Sequence, residues 1–313
     1  MDSSEETDAL SGDAAGSPDA VARPGAAPDP GETRALFDLP LDELVNRARE
    51  TAARSAAALG DAALPVGASP IILSGACMTR PGCRHCKWEH FKALGRDPFV
   101  LDATREEAIA AAHRIADGGV RRAFTATGWM GYRLPARFIA QVAAIHEAEP
   151  RLELYGLFGA LDRQSHLDLA AAGMKGMLTG LESPSETVYR SFRPGGDSLQ
   201  DRLRALDFAR EAGLEVWTGF LVGLGETAED CARGIGLIGS FEPESVSILP
   251  FEPYPDTAMA SHPACDPAWL ARVNAVARVA LPGVAHFFTD HSDPFGVSMA
   301  ERLGLNGSYE TGR

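Results

Sequence analysis

The chain has 313 residues, 45% of them hydrophobic, enough for one large unit of (β/α)-barrel size, about 250 residues. Its formal net charge of −14 at pH 7 argues against nucleic acid as a partner, because phosphate recognition needs a basic face. Five cysteines, three of them in one short run, are not a disulfide framework, and no apolar run approaches the ~18–20 residues that span a bilayer. Free clustered thiols and an N-terminus without a basic or long apolar stretch lead us to expect a cytoplasmic protein.

Residues 1–33 are rich in Ala, Gly, Pro, Ser and acids and bury too little surface to offset ordering, so a disordered acidic tail is expected there. The folded unit is expected over 34–313. Leu41, Leu44, Val45 and Ala48 follow helical spacing and introduce it. Strand-like runs then occur at 71–75, 122–127, 152–158, 175–181, 215–223, 245–251 and 284–289. Helical patterns fill 104–117, 135–148, 163–172, 199–212, 227–240 and 267–280, with a last one near 296–303. Gly118-Gly119, Gly173 and Gly213 end three of these helices as left-handed caps. Such alternation means parallel βαβ units. Seven strands are countable, so the expected fold is α/β, a (β/α) TIM-type barrel that is incomplete or imperfectly closed.

Chemistry concentrates at the ends of the expected strands, the active face of such a barrel. Cys77, Cys83 and Cys86 lie on the loop after the first strand. Three thiolates can hold three irons of a [4Fe–4S] cubane and leave the fourth open to a small ligand. A zinc site completed by His85 or His90 has the same local spacing. Glu182 ends the fourth strand, where it either accepts hydrogen bonds from a ribose or caps the next helix. Gly219-Phe-Leu-Val-Gly223-Leu-Gly-Glu226 ends the fifth, where small residues admit a ligand to the backbone, or simply turn the chain into a helix starting at Glu226 or Thr227. Leu249 opens the proline-rich loop Leu249-Pro-Phe-Glu-Pro-Tyr-Pro255 after the sixth, an apolar edge for a purine or only a rigid loop.

Taken in order, these motifs resemble the radical S-adenosylmethionine superfamily and, within it, the biotin synthase-like group, over roughly residues 36–290. The stretch from Gly213 to Asp230 is very similar to that group's fifth strand and turn. Pro250–Met259 resembles its loop after strand six, and Phe124-Thr-Ala-Thr-Gly-Trp-Met130 its second-strand motif. The resemblance implies that Cys77, Cys83 and Cys86 ligate a [4Fe–4S] cluster with S-adenosyl-L-methionine on the open iron. His85 would stand where the group has an aromatic residue. Backbone at Thr127 and Gly128 would meet the methionine moiety, Glu182 the ribose or methionine, the Gly223 turn the cofactor, and Leu249 the adenine. It also implies a 5′-deoxyadenosyl radical acting on a small organic substrate, and an electron donor such as ferredoxin or flavodoxin.

Three departures bear on the reaction. The first two cysteines are separated by five residues instead of the superfamily's usual three, as in the similar [Fe]-hydrogenase maturase. The second-strand motif has no acid, as in biotin synthase. Biotin synthase carries additional barrel cysteines for a sulfur-donating cluster, whereas Cys231 and Cys265 fall on a helix and a late loop. Rearrangement, cofactor-precursor assembly or epimerisation is therefore expected, with Cys265 a candidate hydrogen donor. The alternatives are sulfur insertion with an unusual sulfur source and a non-catalytic zinc protein. Alternation along the strands points Tyr155, Phe158, Trp217, Thr218, Phe251 and His286 into the lumen.

Overall fold

The computed structural model describes residues 27–86, 102–255, 257–289 and 294–309. Eight parallel strands close into one barrel in sequence order. They are β1 (Val66–Ile72), β2 (Arg122–Ala126), β3 (Glu153–Leu157), β4 (Gly176–Leu178), β5 (Glu215–Val222), β6 (Ser245–Pro250), β7 (His286–Thr289) and β8 (Gly307–Tyr309). The helices are α1 (Pro30–Leu36), α2 (Leu41–Leu59), α3 (Arg105–Asp117), α4 (Ala136–Ala148), α5 (Arg163–Ala171), α6 (Glu186–Phe192), α7 (Leu199–Glu211), α8 (Ala228–Ser240), α9 (Pro267–Ala280) and α10 (Pro294–Leu303).

The TIM-type class is as expected, but the expectation of seven strands and incomplete closure is corrected by β8. Its Asn-Gly start reads as a turn in the sequence, yet it pairs with both β7 and β1. Asn306 makes the seam. Its Oδ1 accepts from the Phe287 amide at 3.0 Å, its Nδ2 donates to the Ala63 and Ala285 carbonyls at 2.8 Å each, and its own carbonyl accepts from the Val66 amide at 3.0 Å. Asn306→Ala strands the side chain's three partners, and a stability loss of about 1–3 kcal/mol is expected. The midpoint of urea unfolding measures it, and an unchanged midpoint would contradict the seam.

Two other boundaries move. β1 begins five residues before the expected strand, since Pro70 reads as a breaker in sequence. It stands beyond the last residue of β1 paired with β8, where a missing amide costs little. Helix α1 begins at Pro30, inside the stretch expected to be a tail, capped by the Asp29 carboxylate on the Glu32 amide at 2.8 Å. It packs on α8, while α2 packs along α9 and α10. The rest of the expected tail, residues 1–26, lies outside the described residues. Gly119, Gly173 and Gly213 all have positive φ, as their cap positions require.

The ladder registers accumulate to the shear of about 8 of a TIM barrel, so inward side chains stack in layers from alternate strands. At the bottom Arg122 is buried, with Glu153 at 3.1 Å, Ser245 Oγ at 3.1 Å and the centroid of the Tyr155 ring 5.2 Å from its guanidinium. Above lies a layer of Ala68, Tyr155, Trp217 and Phe288, a core cluster of its own. The next layer is Phe124, Leu178, Ser247 and Tyr309. A second, larger core fills the space between sheet and helices.

Two of the six expected lumen residues face the other way. Phe158 and Thr218 are each one position out of phase with the inward Leu157 and Trp217. Phe158 packs in the outer core, and Thr218 Oγ1 donates to the Thr179 carbonyl at 2.7 Å. His286 is inward but sits at the start of β7, paired with Ser245 at the start of β6, its Nε2 3.2 Å from the Leu64 carbonyl. It therefore belongs to the closed end of the barrel, not to its mouth.

Candidate active site

The loop after β1 carries the three cysteines, and neighbouring loops clamp it from both sides. On one side the Met78 amide donates to the Trp129 carbonyl at 2.7 Å. There a Cβ on Gly128 would fall 2.4 Å from the Ala76 carbonyl oxygen and 2.5 Å from Cys77 Cβ. On the other side the Arg84 amide donates to the Phe192 carbonyl at 2.8 Å. A Cβ on Gly195 would stand 2.5 Å from the Arg80 carbonyl oxygen. Within the loop the Arg80–Pro81 bond is cis, and Arg80 folds back to donate to the Cys77 carbonyl at 3.1 Å. All three thiols are half-buried and none is in a disulfide.

Beneath the loop lies a buried network of charges. Arg193 Nη1 is 3.2 Å from Cys83 Sγ. Arg193 also pairs with Asp197, which has no exposed side chain and meets Arg202 Nε at 3.0 Å. Asp197 further accepts from the Ala160 amide at 3.0 Å. Arg202 Nη1 reaches Glu182 at 2.9 Å, and Arg193 lies 3.7 Å from the same carboxylate oxygen. His85 Nε2 is 3.9 Å from the other oxygen. Tyr189 ties the set together, its hydroxyl donating to the Asp197 carbonyl at 2.9 Å and accepting from Arg193 Nε at 3.0 Å.

Glu182 is therefore no helix cap. Ser185 takes the N-cap position of α6, while Glu182 holds a left-handed backbone at φ 62°, a conformation a non-glycine residue keeps only when its surroundings demand it. Burial pushes its carboxyl up, but Arg202 and Arg193 outweigh that and hold it below the usual carboxylate range. Asp197 behaves the same way, with burial outweighed by Arg202, Arg193 and the Ala160 amide. Burial pushes the Cys83 thiol up to about 12 against the pull of Arg193, so a thiolate there calls for positive charge beyond the arginine. Burial lowers His85 and keeps its ring neutral. Its Nδ1 is buried with no hydrogen-bond partner among the described residues, and the ring stands edge-on to Phe192, 4.8 Å between centroids.

The remaining expected residues sit above or inside the lumen. Thr127 is buried, its hydroxyl donating to the Gly128 carbonyl at 2.7 Å and its amide to the Leu157 carbonyl at 3.3 Å. Gly223 turns at φ 97°, backed so closely by Cys265 that a Cβ would lie 2.6 Å from Cys265 Cβ. Glu226 does not start α8, because Thr227 caps it. The Glu226 carboxylate instead accepts the Gly223 and Leu224 amides at 2.7 and 2.9 Å and the Trp269 indole at 2.9 Å. Leu249 is half-buried on β6, paired with Leu221. The structure thus brings the cysteines, His85, Gly128 and Glu182 together and places Leu249 on the lumen wall below. His90, the other ligand considered for zinc, lies outside the described residues. Among the described residues no three His, Cys, Asp or Glu side chains are grouped closely enough to hold a single metal ion.

The arginine–aspartate network was not anticipated. Its sequence signal is Arg202 on the buried stripe Leu199, Arg202, Leu206, Ala209 of α7, a charge where helical periodicity calls for an apolar residue.

The chain's residues 71–235 match the family model of the radical SAM superfamily. The chain belongs to this superfamily. It is a radical SAM enzyme, of the biotin synthase-like kind, and its cofactors are a [4Fe–4S] cluster and S-adenosylmethionine. It is 30% identical to the biotin synthase of Paramagnetospirillum magneticum over 80% of this chain and 75% of that protein. It is 27% identical to an uncharacterized protein of Methanocaldococcus jannaschii over 69% of this chain, spanning only 57% of that relative's length. The crystal structure of methylornithine synthase superimposes with a TM-score of 0.75 at 20% identity, over 90% of this chain and 82% of that one, a likeness of fold. No described helix of this radical SAM protein is long and apolar enough to cross a membrane.

Proposed function

We propose that Cys77, Cys83 and Cys86 hold the cluster, that S-adenosylmethionine binds on its open iron, and that the enzyme acts on a small organic substrate without inserting sulfur. The observation that carries this is the clamped loop: three thiols outside any disulfide on the loop after β1, one of them 3.2 Å from an arginine. The donor set fits, because three thiolates hold three irons of a cubane and leave the fourth open. When bound, the cluster supplies one electron and the cofactor a 5′-deoxyadenosyl radical able to abstract hydrogen from a substrate carbon.

The chain's own residues then position and shield. Glu182 is held ionised by Arg202 and Arg193 and accepts hydrogen bonds from ribose or the methionine ammonium. Gly128 and Thr127 present backbone at the same rim, and neutral His85 shields the cluster loop with Phe192. Gly223, with its amide engaged by Glu226, keeps a fixed turn near the cofactor, and Leu249 offers apolar surface to adenine. The closed barrel excludes water beneath.

Against sulfur insertion, no cysteine lies on any strand. Cys231 is buried on α8, and Cys265 lies against Gly223. Dethiobiotin tests this. Incubated with the reconstituted enzyme, S-adenosylmethionine and reductant, it should yield no biotin, and stoichiometric biotin would overturn the proposal. Metal analysis separates zinc. About four irons per chain after anaerobic reconstitution, absent from Cys83→Ala, supports the cluster; zinc retained without iron would sink it.

A further inference from the structure

Arg193 closes α6 at its C-cap position, its amide donating to the Tyr189 carbonyl at 2.9 Å. The side chain is 7% exposed, and each nitrogen of the guanidinium has a partner. Nε donates to the Tyr189 hydroxyl at 3.0 Å, Nη2 to Asp197, and Nη1 to Cys83 Sγ at 3.2 Å. The guanidinium carbon lies over the Tyr189 ring, 5.4 Å from its centroid. A planar fork held at two nitrogens leaves the third no freedom to turn away. That third nitrogen is aimed at a sulfur.

The groups that hold the fork are themselves fixed. Asp197 follows α6 by a single turn, has no exposed side chain, meets Arg202 Nε at 3.0 Å and accepts the Ala160 amide at 3.0 Å. The Tyr189 hydroxyl is anchored on the Asp197 carbonyl at 2.9 Å. Arg193 and Arg202 carry two positive charges, and Asp197 and Glu182 two negative ones, so the network adds no net charge beneath the loop. What reaches Cys83 is one directed N–H. Other contacts on the loop differ in kind. Cys77 Sγ and the Thr79 hydroxyl are 3.4 Å apart, a neutral pair. Arg80 spends its Nη1 on the Cys77 and Thr79 carbonyls, at 3.1 and 2.6 Å, not on sulfur.

The chemistry gives this contact a direction. A cluster that accepts an electron gains negative charge, and added charge in a half-buried site is costly. A hydrogen bond from a cation to a thiolate ligand strengthens as the negative charge on sulfur grows. It therefore stabilises the reduced state more than the oxidised one, and hydrogen bonds to sulfur are among the levers that set cluster potentials.

We propose that Arg193 tunes the cluster, its Nη1–H bond to the Cys83 sulfur raising the potential at which the electron enters. Arg193 acts through Cys83 and is a positioning residue. The inference rests on the proposed ligation by Cys83. The step is a one-electron reduction of the cluster from 2+ to 1+. The electron comes from a donor of the ferredoxin or flavodoxin class, or from dithionite; no bond breaks and no proton moves.

The test is a potentiometric titration of the reconstituted enzyme without S-adenosylmethionine, followed by EPR of the reduced cluster. Arg193→Met removes the donor at similar length. The equilibrium constant for reduction should fall about tenfold, a drop of 59 mV for one electron. Arg193→Lys keeps the charge without the fork and should fall between that variant and the wild type. A merely structural role would lower iron content and leave the potential of the loaded fraction unchanged. Should Arg193→Met fail to load iron, a second measurement decides on the wild type itself. Protein made with nitrogen-15-labelled arginine should show nitrogen-15 hyperfine coupling to the reduced cluster in pulsed EPR, lost in Arg193→Lys. A loaded Arg193→Met whose equilibrium constant stays within about twofold of the wild type, or a labelled wild type without that coupling, would overturn the proposal. Failure of the ligation reading shows separately, as full iron retained by Cys83→Ala.

Discussion

Asp197→Ala is expected to destabilise the protein by roughly 3–5 kcal/mol, the usual cost of removing one partner from a buried charge network. Asp197 has no exposed side chain and touches both Arg193 and Arg202, themselves 7% and 6% exposed. Without it two buried guanidinium groups share Glu182 alone, and the Ala160 amide loses its acceptor. The damage extends to the cysteine loop through Arg193 and Cys83. Urea unfolding at neutral pH measures the loss; a change under about 1 kcal/mol would place the network among weak surface pairs.

The same network fixes the sign of the pH dependence. Asp197 and Glu182 are both held below their ordinary values. A depressed carboxyl gives stability that is present above its unfolded pKa, about 4, and lost as pH falls through the folded value. Wild-type stability should therefore fall steeply on acidification below about pH 4. Asp197→Ala, already without one of these groups, should show a shallower fall. Equal slopes would mean that the carboxylates are not what acid attacks.

Gly128→Val is expected to abolish cluster loading while leaving the barrel folded. The added Cβ meets the Ala76 carbonyl oxygen at 2.4 Å and Cys77 Cβ at 2.5 Å. The first is backbone, so no rotamer relieves it, and the cysteine loop must move away from its place over Arg193. Overpacking of this kind costs about 1–3 kcal/mol, but the larger effect is on geometry, since three thiolates must converge on one cubane. Gly283→Val is the control, because a Cβ there meets nothing within 4 Å. Reconstituted iron should be near zero in the first and unchanged in the second, with the same circular dichroism. Full iron in Gly128→Val would show that the loop is not clamped as described.

What the sequence disclosed divides along the range of the interactions. β2, β3 and β5 to β7 were legible because alternating apolar runs sit between helices ended by glycines, all local signals. The cysteine trio was legible because its spacing lies within ten residues. β8 was not, because three residues starting at Gly307 carry no periodicity, and its place depends on Asn306 bonding to β7 and to the turn before β1. Phe158 and Thr218 were assigned to the lumen through a shift of one residue, which inverts a face in a period of two. Glu182 was found as a strand-end carboxylate, but its partners come from α7 and from the turn after α6, 11 to 20 residues away in sequence. Only the misplaced charge of Arg202 on an apolar stripe hinted at them.

If the three cysteines build a cluster that cleaves S-adenosylmethionine to a radical, the anaerobically reconstituted enzyme given dithionite releases 5′-deoxyadenosine, which mass spectrometry measures. Formation of 5′-deoxyadenosine by the wild type, falling to background in Cys83→Ala, is the predicted result. Equal amounts from both proteins, or none from a wild type with its full complement of iron, would contradict it.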